Sequence, residues 1–183
     1  MKPLYLTLLL LMPFISHSAN NSMYIKKIQE SLDKQPPLCL GTTVWPVHIA
    51  TQDISYGYIN AKMEALTDAE LTHSKIIGKQ KTWQLTSLGL KEFNKYGDLC
   101  YGKMVVEHIE RIYQNKKSGS VIFDYSISSL PSWARHPSVR FAYTDVDNLI
   151  SGIKTARYQA NFKNIPAGKI EIVGEPYQLD LLY

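Results

Sequence analysis

The sequence predicts an α+β chain, with a helix-rich N-terminal unit packed on a C-terminal antiparallel sheet. Three observations point there. Apolar residues at helical spacing mark the first half, as in Ile59, Met63 and Leu66. The second half alternates apolar with polar residues, as in Val121, Phe123, Tyr125 and Ile127. The 183 residues are 45% apolar and 20% charged, ordinary proportions for a chain long enough to build a real core.

Residues 1–19 read as a signal peptide. Lys2 supplies a positive start, Leu4 to Ile15 is apolar apart from Thr7, and Ser16 to Ala19 offers small residues for cleavage near 18/19. The apolar run is short of the roughly 20 residues that a spanning helix needs. Retention as an N-terminal anchor is the competing reading. No cysteine stands at the cleavage site, which argues against a lipoprotein, and no later stretch reads as an integral membrane span. The expected location is therefore periplasmic or secreted. Losing Lys2 lowers the formal charge from +4 to +3, far from the basic stripe of a nucleic-acid binder.

Residues 20–102 form the expected first unit. Asn20 to Ser22 reads as a frayed terminus. Tyr24, Ile25, Ile28 and Leu32 share one helical face, and Gln35-Pro36-Pro37 ends that helix. Leu38 to Ile49 reads as a short strand broken at Pro46. Asp53 or Ser55 is expected to cap the next helix. Thr72 to Ile77 and Thr82 to Leu85 flank a turn at Gly78-Lys79-Gln80, which makes a hairpin. Thr86 or Ser87 caps a helix carrying Leu88, Leu90 and Phe93, which the Gly97-Asp98 step stops.

Residues 103–183 form the β-rich unit, the two making one compact whole. Tyr101 to Tyr113 fits either period, but the turn residues at 116–119 favour a strand. The alternation of 121–127 then gives a cleaner strand. Leu130-Pro131-Ser132-Trp133 begins a short helix or turn, and Asp145 to Ile153 another short helix. Ala156, Tyr158, Ala160 and Phe162 alternate as a half-buried strand, Lys169 to Val173 is the last strand, and the tail carries Tyr177, Leu179, Leu181 and Tyr183.

Two cysteines exist, Cys39 and Cys100. An even pair in an oxidising compartment is most simply a disulfide. A catalytic thiol would need an activating base, and no motif places one.

The stretch from Tyr58 to Phe93 resembles winged-helix modules: a wing ending in Trp83-Gln84-Leu85-Thr86, then Gly89 and Phe93. The resemblance implies a winged-helix-like N-terminal unit. The would-be recognition helix departs from the pattern, with Glu64, Asp68 and Glu70 against one Lys62, whereas DNA reading needs cations there. More broadly, Leu85-Thr86, Gly89, Cys100 to Lys103 and Leu130 to Ala134 resemble a group of exported bacterial proteins of unknown activity. That likeness implies an exported α+β protein with paired cysteines and no assigned chemistry.

Catalytic residues are not legible. His48, His73, His108 and His136 are isolated, and no HExxH, HxH or CxxC gives metal-ligand spacing, so neither metal nor cofactor is expected. No G-x-S-x-G, P-loop or G-x-G-x-x-G occurs. Carboxylate pairs such as Asp145/Asp147 and Glu107/Glu110 sit in polar stretches. Lys75, Lys79 and Lys81 make the hairpin basic, which suits solubility or a weak anionic contact. Twelve tyrosines and three tryptophans are the more informative surplus, because aromatics serve interfaces. Candidate interaction residues are Tyr56, Tyr58, Lys75, Lys79, Lys81 and Trp133.

The expected function is that of an exported, non-enzymatic binding or accessory protein acting on an envelope or secreted protein, with a homodimer possible. The alternatives are an inhibitor or protective factor against a secreted enzyme or antibiotic, a small exported hydrolase, and a winged-helix DNA-binding regulator.

Overall fold

A computed structural model describes residues 18–51 and 54–179. Most of the expected signal peptide, the Asp53 cap, and Leu181 and Tyr183 of the tail lie outside the described residues. Helix α1 (Ser18–Leu32) already includes Asn20 to Ser22, which had been expected to fray. It buries Tyr24, Ile28 and Leu32, the face that the periodicity picks out.

The expected single strand over 38–49 is instead two strands in two sheets. β1 (Leu38–Cys39) and β2 (Val47–Ala50) flank a loop holding a cis Trp45–Pro46 bond. Helix α2 (Gly57–Asp68) follows a short 3-10 turn, Ile54–Tyr56. Its N-cap position falls on Tyr56 rather than Ser55, without a side-chain capping bond. The expected hairpin forms, with β3 (Thr72–Ile77) paired to β4 (Gln80–Leu85) from Thr72 opposite Leu85 to Ile77 opposite Gln80, so that Gln80 belongs to the ladder and the turn shortens to Gly78-Lys79. Thr86 caps α3 (Ser87–Phe93), its hydroxyl accepting the Gly89 N–H at 3.0 Å.

β5 (Cys100–Gln114) and β6 (Ser118–Ser128) make a long antiparallel pair around a turn where Asn115 Oδ1 accepts from Lys117 and Ser118. Two short helices, α4 (Pro137–Ala142) and α5 (Thr144–Ser151), precede β7 (Tyr158–Ile165) and β8 (Lys169–Gln178). β8 runs well past the expected end at Val173.

The result is a five-stranded antiparallel sheet, β1-β5-β6-β7-β8, and a three-stranded sheet, β2-β4-β3. The fold class is α+β. The helical, winged-helix-like N-terminal unit is not supported, because the helices lie between strands along the chain. Its would-be helical part contains β1 and β2, and α4 from the later half packs on α2. One buried cluster runs from Tyr24 and Ile28 of α1 through Leu66 and Trp83 to Phe123 and Phe162. Tyr24 meets Phe162 with ring centroids 5.3 Å apart, which seats α1 on the larger sheet. Cys39 and Cys100 are joined by a disulfide that ties β1 to β5.

Candidate functional site

α2 sets up the most open chemistry of the surface. Met63, Ala65 and Leu66 turn inward, which leaves Tyr58, Ile59, Lys62, Glu64 and Asp68 on its outer and flanking sides. Grooves flank it in several directions.

One, about 470 Å³, lies between α2 and α4 and is lined by Ala61, Ala65, Asp68, Pro137 and Phe141. Phe141 is 90% exposed. A burial that poor for a phenylalanine is unusual on a surface with no partner. A second groove, about 370 Å³, runs between α2 and the loop after β1, with walls from Leu40, Val44, Tyr58, Ile59 and Lys62. Val44 and Tyr58 are 76% and 66% exposed. At its edge the Lys62 ammonium lies 4.3 Å from the Tyr58 ring centroid and 4.8 Å from that of Tyr143. Two ring faces thus hold one cation in place. Tyr143 is buried, and its hydroxyl has no hydrogen-bond partner among the described residues. Burial, then the neighbouring Tyr58 and Asp98, pushes that hydroxyl's pKa well up, so it stays a neutral donor.

The loop in this groove is held from below. Asp98 is buried, and its carboxylate accepts from the backbone N–H of Gly41 at 2.8 Å, Thr42 at 3.1 Å and Leu99 at 2.7 Å. The disulfide lies beside this anchor, at the next residue but one.

A third groove, about 270 Å³, is lined by Tyr56, Gly57, Asn60, Lys81 and Trp83. There one carboxylate oxygen of Glu64 accepts from the Trp83 indole at 2.7 Å and from Lys81 at 2.8 Å. A fourth, about 340 Å³, joins the far end of α2 to α3 and Trp133.

The expected interaction residues therefore separate. Tyr56 and Tyr58 sit at the start of α2, in two different grooves. Lys81 is taken up by Glu64 and the Trp83 ring. Lys75 pairs across the ladder with Thr82, and Lys81 with Ile76, so these two lysines point to opposite faces of the hairpin. Lys79 stands in the turn. No joint basic patch results. Trp133 is buried, at 5% exposure.

Catalytic arrangements do not assemble among the described residues. His48 Nδ1 lies 2.9 Å from the Thr82 hydroxyl, and His108 Nδ1 lies 3.8 Å from Asp124, on separate strands. No free cysteine remains, and among the described residues no three His, Cys, Asp or Glu side chains gather around a metal position.

Sequence reasoning missed Phe141 and Lys62. Phe141 lies in a helix of six residues, too short for periodicity to show a face. In the sequence Lys62 stands out only as the lone cation of a helix otherwise acidic.

No protein-family model, curated protein or solved structure matches this chain.

Proposed function

We propose that this is an exported, non-enzymatic binding protein that acts by protein–protein contact in the bacterial envelope, with α2 and its flanks as the contact face. The observation that carries the reading is the concentration of exposed apolar side chains around one helix: Val44, Tyr58, Ile59 and Phe141. Large exposed apolar groups rimmed by polar ones mark interaction surfaces, and aromatic anchors supply most of the affinity at such surfaces. The disulfide favours an oxidising compartment. No helix among the described residues is long and apolar enough to cross a membrane.

The test places a photoreactive amino acid at Phe141 in the full chain, expressed with its leader, and identifies what crosslinks to it in envelope fractions. One defined protein, or a second copy of this chain, is expected to crosslink. Tyr58→Ala with Ile59→Ala is expected to weaken that contact at least about tenfold, since anchor residues cost more than about 1 kcal/mol each. A chain that stays monomeric and crosslinks to nothing above background rules the reading out. So does a partner held equally by the double variant.

A further inference from the structure

Sheet edges are ready-made templates for another strand, and proteins blunt the ones they do not use. Most edges here are blunted. β5 carries register shifts between Val106 and His108 and between Ile109 and Arg111, and Gln29 occupies part of its side. β8 is interrupted by Gly174 and Pro176. β2 has four residues and follows Pro46 directly. β3 differs. It stands at the edge of the smaller sheet, six residues long, with no Gly or Pro and an unbroken register against β4.

The ladder says which groups are free. The Thr51 N–H donates to the Lys79 carbonyl at 2.8 Å, so on β4 Lys81 and Trp83 bond to β2, while Gln80, Thr82 and Gln84 bond to β3. Across that register, His73, Lys75 and Ile77 bond inward to β4. Ser74 and Ile76 turn their N–H and C=O groups outward, where no partner stands among the described residues. At the same end of the strand Ile76 and Ile77 are 66% and 60% exposed, on opposite faces of the sheet.

Charge says what kind of strand fits. From Leu71 to Lys91 the chain holds four lysines and no Asp or Glu. Lys81 is taken by Glu64, but Lys75 has no carboxylate within ion-pair distance among the described residues. In a strand added antiparallel to β3, the residue opposite Lys75 forms a non-hydrogen-bonded pair, the arrangement that brings side chains closest. Opposite charge is favourable there and like charge is not. The same rule acts against a second copy, since the two-fold pairing that joins Ser74 to Ile76 sets Lys75 against Lys75.

We propose that the β3 edge takes an extended segment of the partner protein into its ladder, apolar where it faces Ser74 and Ile76 and acidic where it faces Lys75. This rests on the protein-contact reading for the class of partner, and adds a second place of contact to it.

The probes are two end-capped heptapeptides, Thr-Val-Glu-Val-Glu-Val-Thr and Thr-Val-Lys-Val-Lys-Val-Thr, added to the folded, disulfide-bonded chain. The readout is the backbone amide signals of β3 in nitrogen–proton correlation spectra. In the free chain the amides of Ser74 and Ile76 are expected to exchange with solvent faster than those of Lys75 and Ile77. The glutamate peptide is expected to move the Ser74 and Ile76 signals saturably, and to bind about fivefold tighter than the lysine peptide. Lys75→Glu should reverse that preference. Ile76→Pro removes an outward N–H and no bond to β4, so it should weaken binding at least about fivefold, read at Ser74, while the β4 signals report an intact hairpin.

Unmoved amides at Ser74 and Ile76 overturn the proposal, as do equal affinity for the two peptides or undiminished binding by Ile76→Pro. Slow exchange at Ser74 and Ile76 in the dilute free chain would mean that the edge is already covered, which also overturns it. Signals that move with the chain's own concentration would give the edge to a second copy and overturn the assignment to a partner. The titration uses no residue of the α2 flank. A partner crosslinked through Phe141 beside an unmoved β3 therefore sinks the edge alone, and a responding β3 in a chain that crosslinks to nothing sinks the α2 face and upholds the edge.

Discussion

Buried tyrosines carry a pH signature of their own. Tyr101 has its pKa pushed up to about 12, first by burial and then by the charges of Asp145 and Tyr158. Tyr125 and Tyr143 are pushed higher still by burial, and Tyr24 and Tyr158 are raised too. In the unfolded chain each ionises near pH 10. The folded state therefore holds protons that the unfolded state gives up. The stability tied to these groups is complete below about pH 10 and is lost as pH rises through the folded-state values. Each group contributes a slope of about 1.4 kcal/mol per pH unit in that window. Tyrosinate absorbance from the buried set is expected to rise only above the usual tyrosine value of about pH 10. The urea midpoint should hold steady to about pH 10 and fall beyond it. A single titration step near pH 10 with no change in midpoint would contradict this account.

Elements are secured where their open edges find side chains. β1 covers β5 only through Leu38 opposite Gly102 and Cys39 opposite Cys100, so among the described residues the rest of that edge has no strand beside it. Gln29 of α1 closes part of it: its Oε1 accepts the Val106 N–H at 3.0 Å and its amide donates to the Met104 carbonyl at 3.2 Å. Gln29→Ala removes both bonds and is expected to cost about 2 kcal/mol, at about 1 kcal/mol each. Amide exchange at Val106 should quicken by at least about tenfold. Unchanged exchange there would show that α1 is held by apolar packing alone. Gln29 had been legible only as a polar residue opposite the apolar face of its helix. Local signals did better. The alternation Val121-Phe123-Tyr125-Ile127 is buried on one face as read, and so are Tyr158, Ala160 and Phe162. The hairpin of β3 and β4 and the Thr86 cap follow from residues within a few positions of each other. β1 did not follow, because two residues become a strand only by lying against Cys100. β8 outran its expected end because Gly174 (φ +72°) and Pro176 interrupt the pattern while the ladder resumes, Tyr158 opposite Gln178.

At the scale of the whole molecule, the covalent tie and the proposed contact face meet in one place. Exposed aromatics at the start of α2 were legible as Tyr56 and Tyr58. The cavity at Trp133 was not, because it takes residues from three stretches that only tertiary packing brings together: 68–70, 88–92 and 131–136. The hairpin lysines failed as a patch for a simpler reason: strand alternation sends Lys75 and Lys81 to opposite faces. The Cys39–Cys100 bond closes a separation of 61 residues, and all of β2, α2, the hairpin and α3 lie inside that loop. Constraining the unfolded chain over such a loop is worth about 4 kcal/mol. A domain of this size has roughly 5–15 kcal/mol in total, so the tie is a large share without being the whole. Cys39→Ser with Cys100→Ser is expected to fold still, through the core shared by α1 and the larger sheet, and to melt about 10 °C lower. The loop after β1 leans on that tie as well as on Asp98, so in the same variant its amides, from Leu40 to Val44, should exchange faster than those of β6. An unchanged melting temperature in the double variant would place the stabilisation elsewhere. Uniform exchange across loop and sheet would mean that the disulfide holds the molecule as a unit and has no particular hold on the groove beside Tyr58.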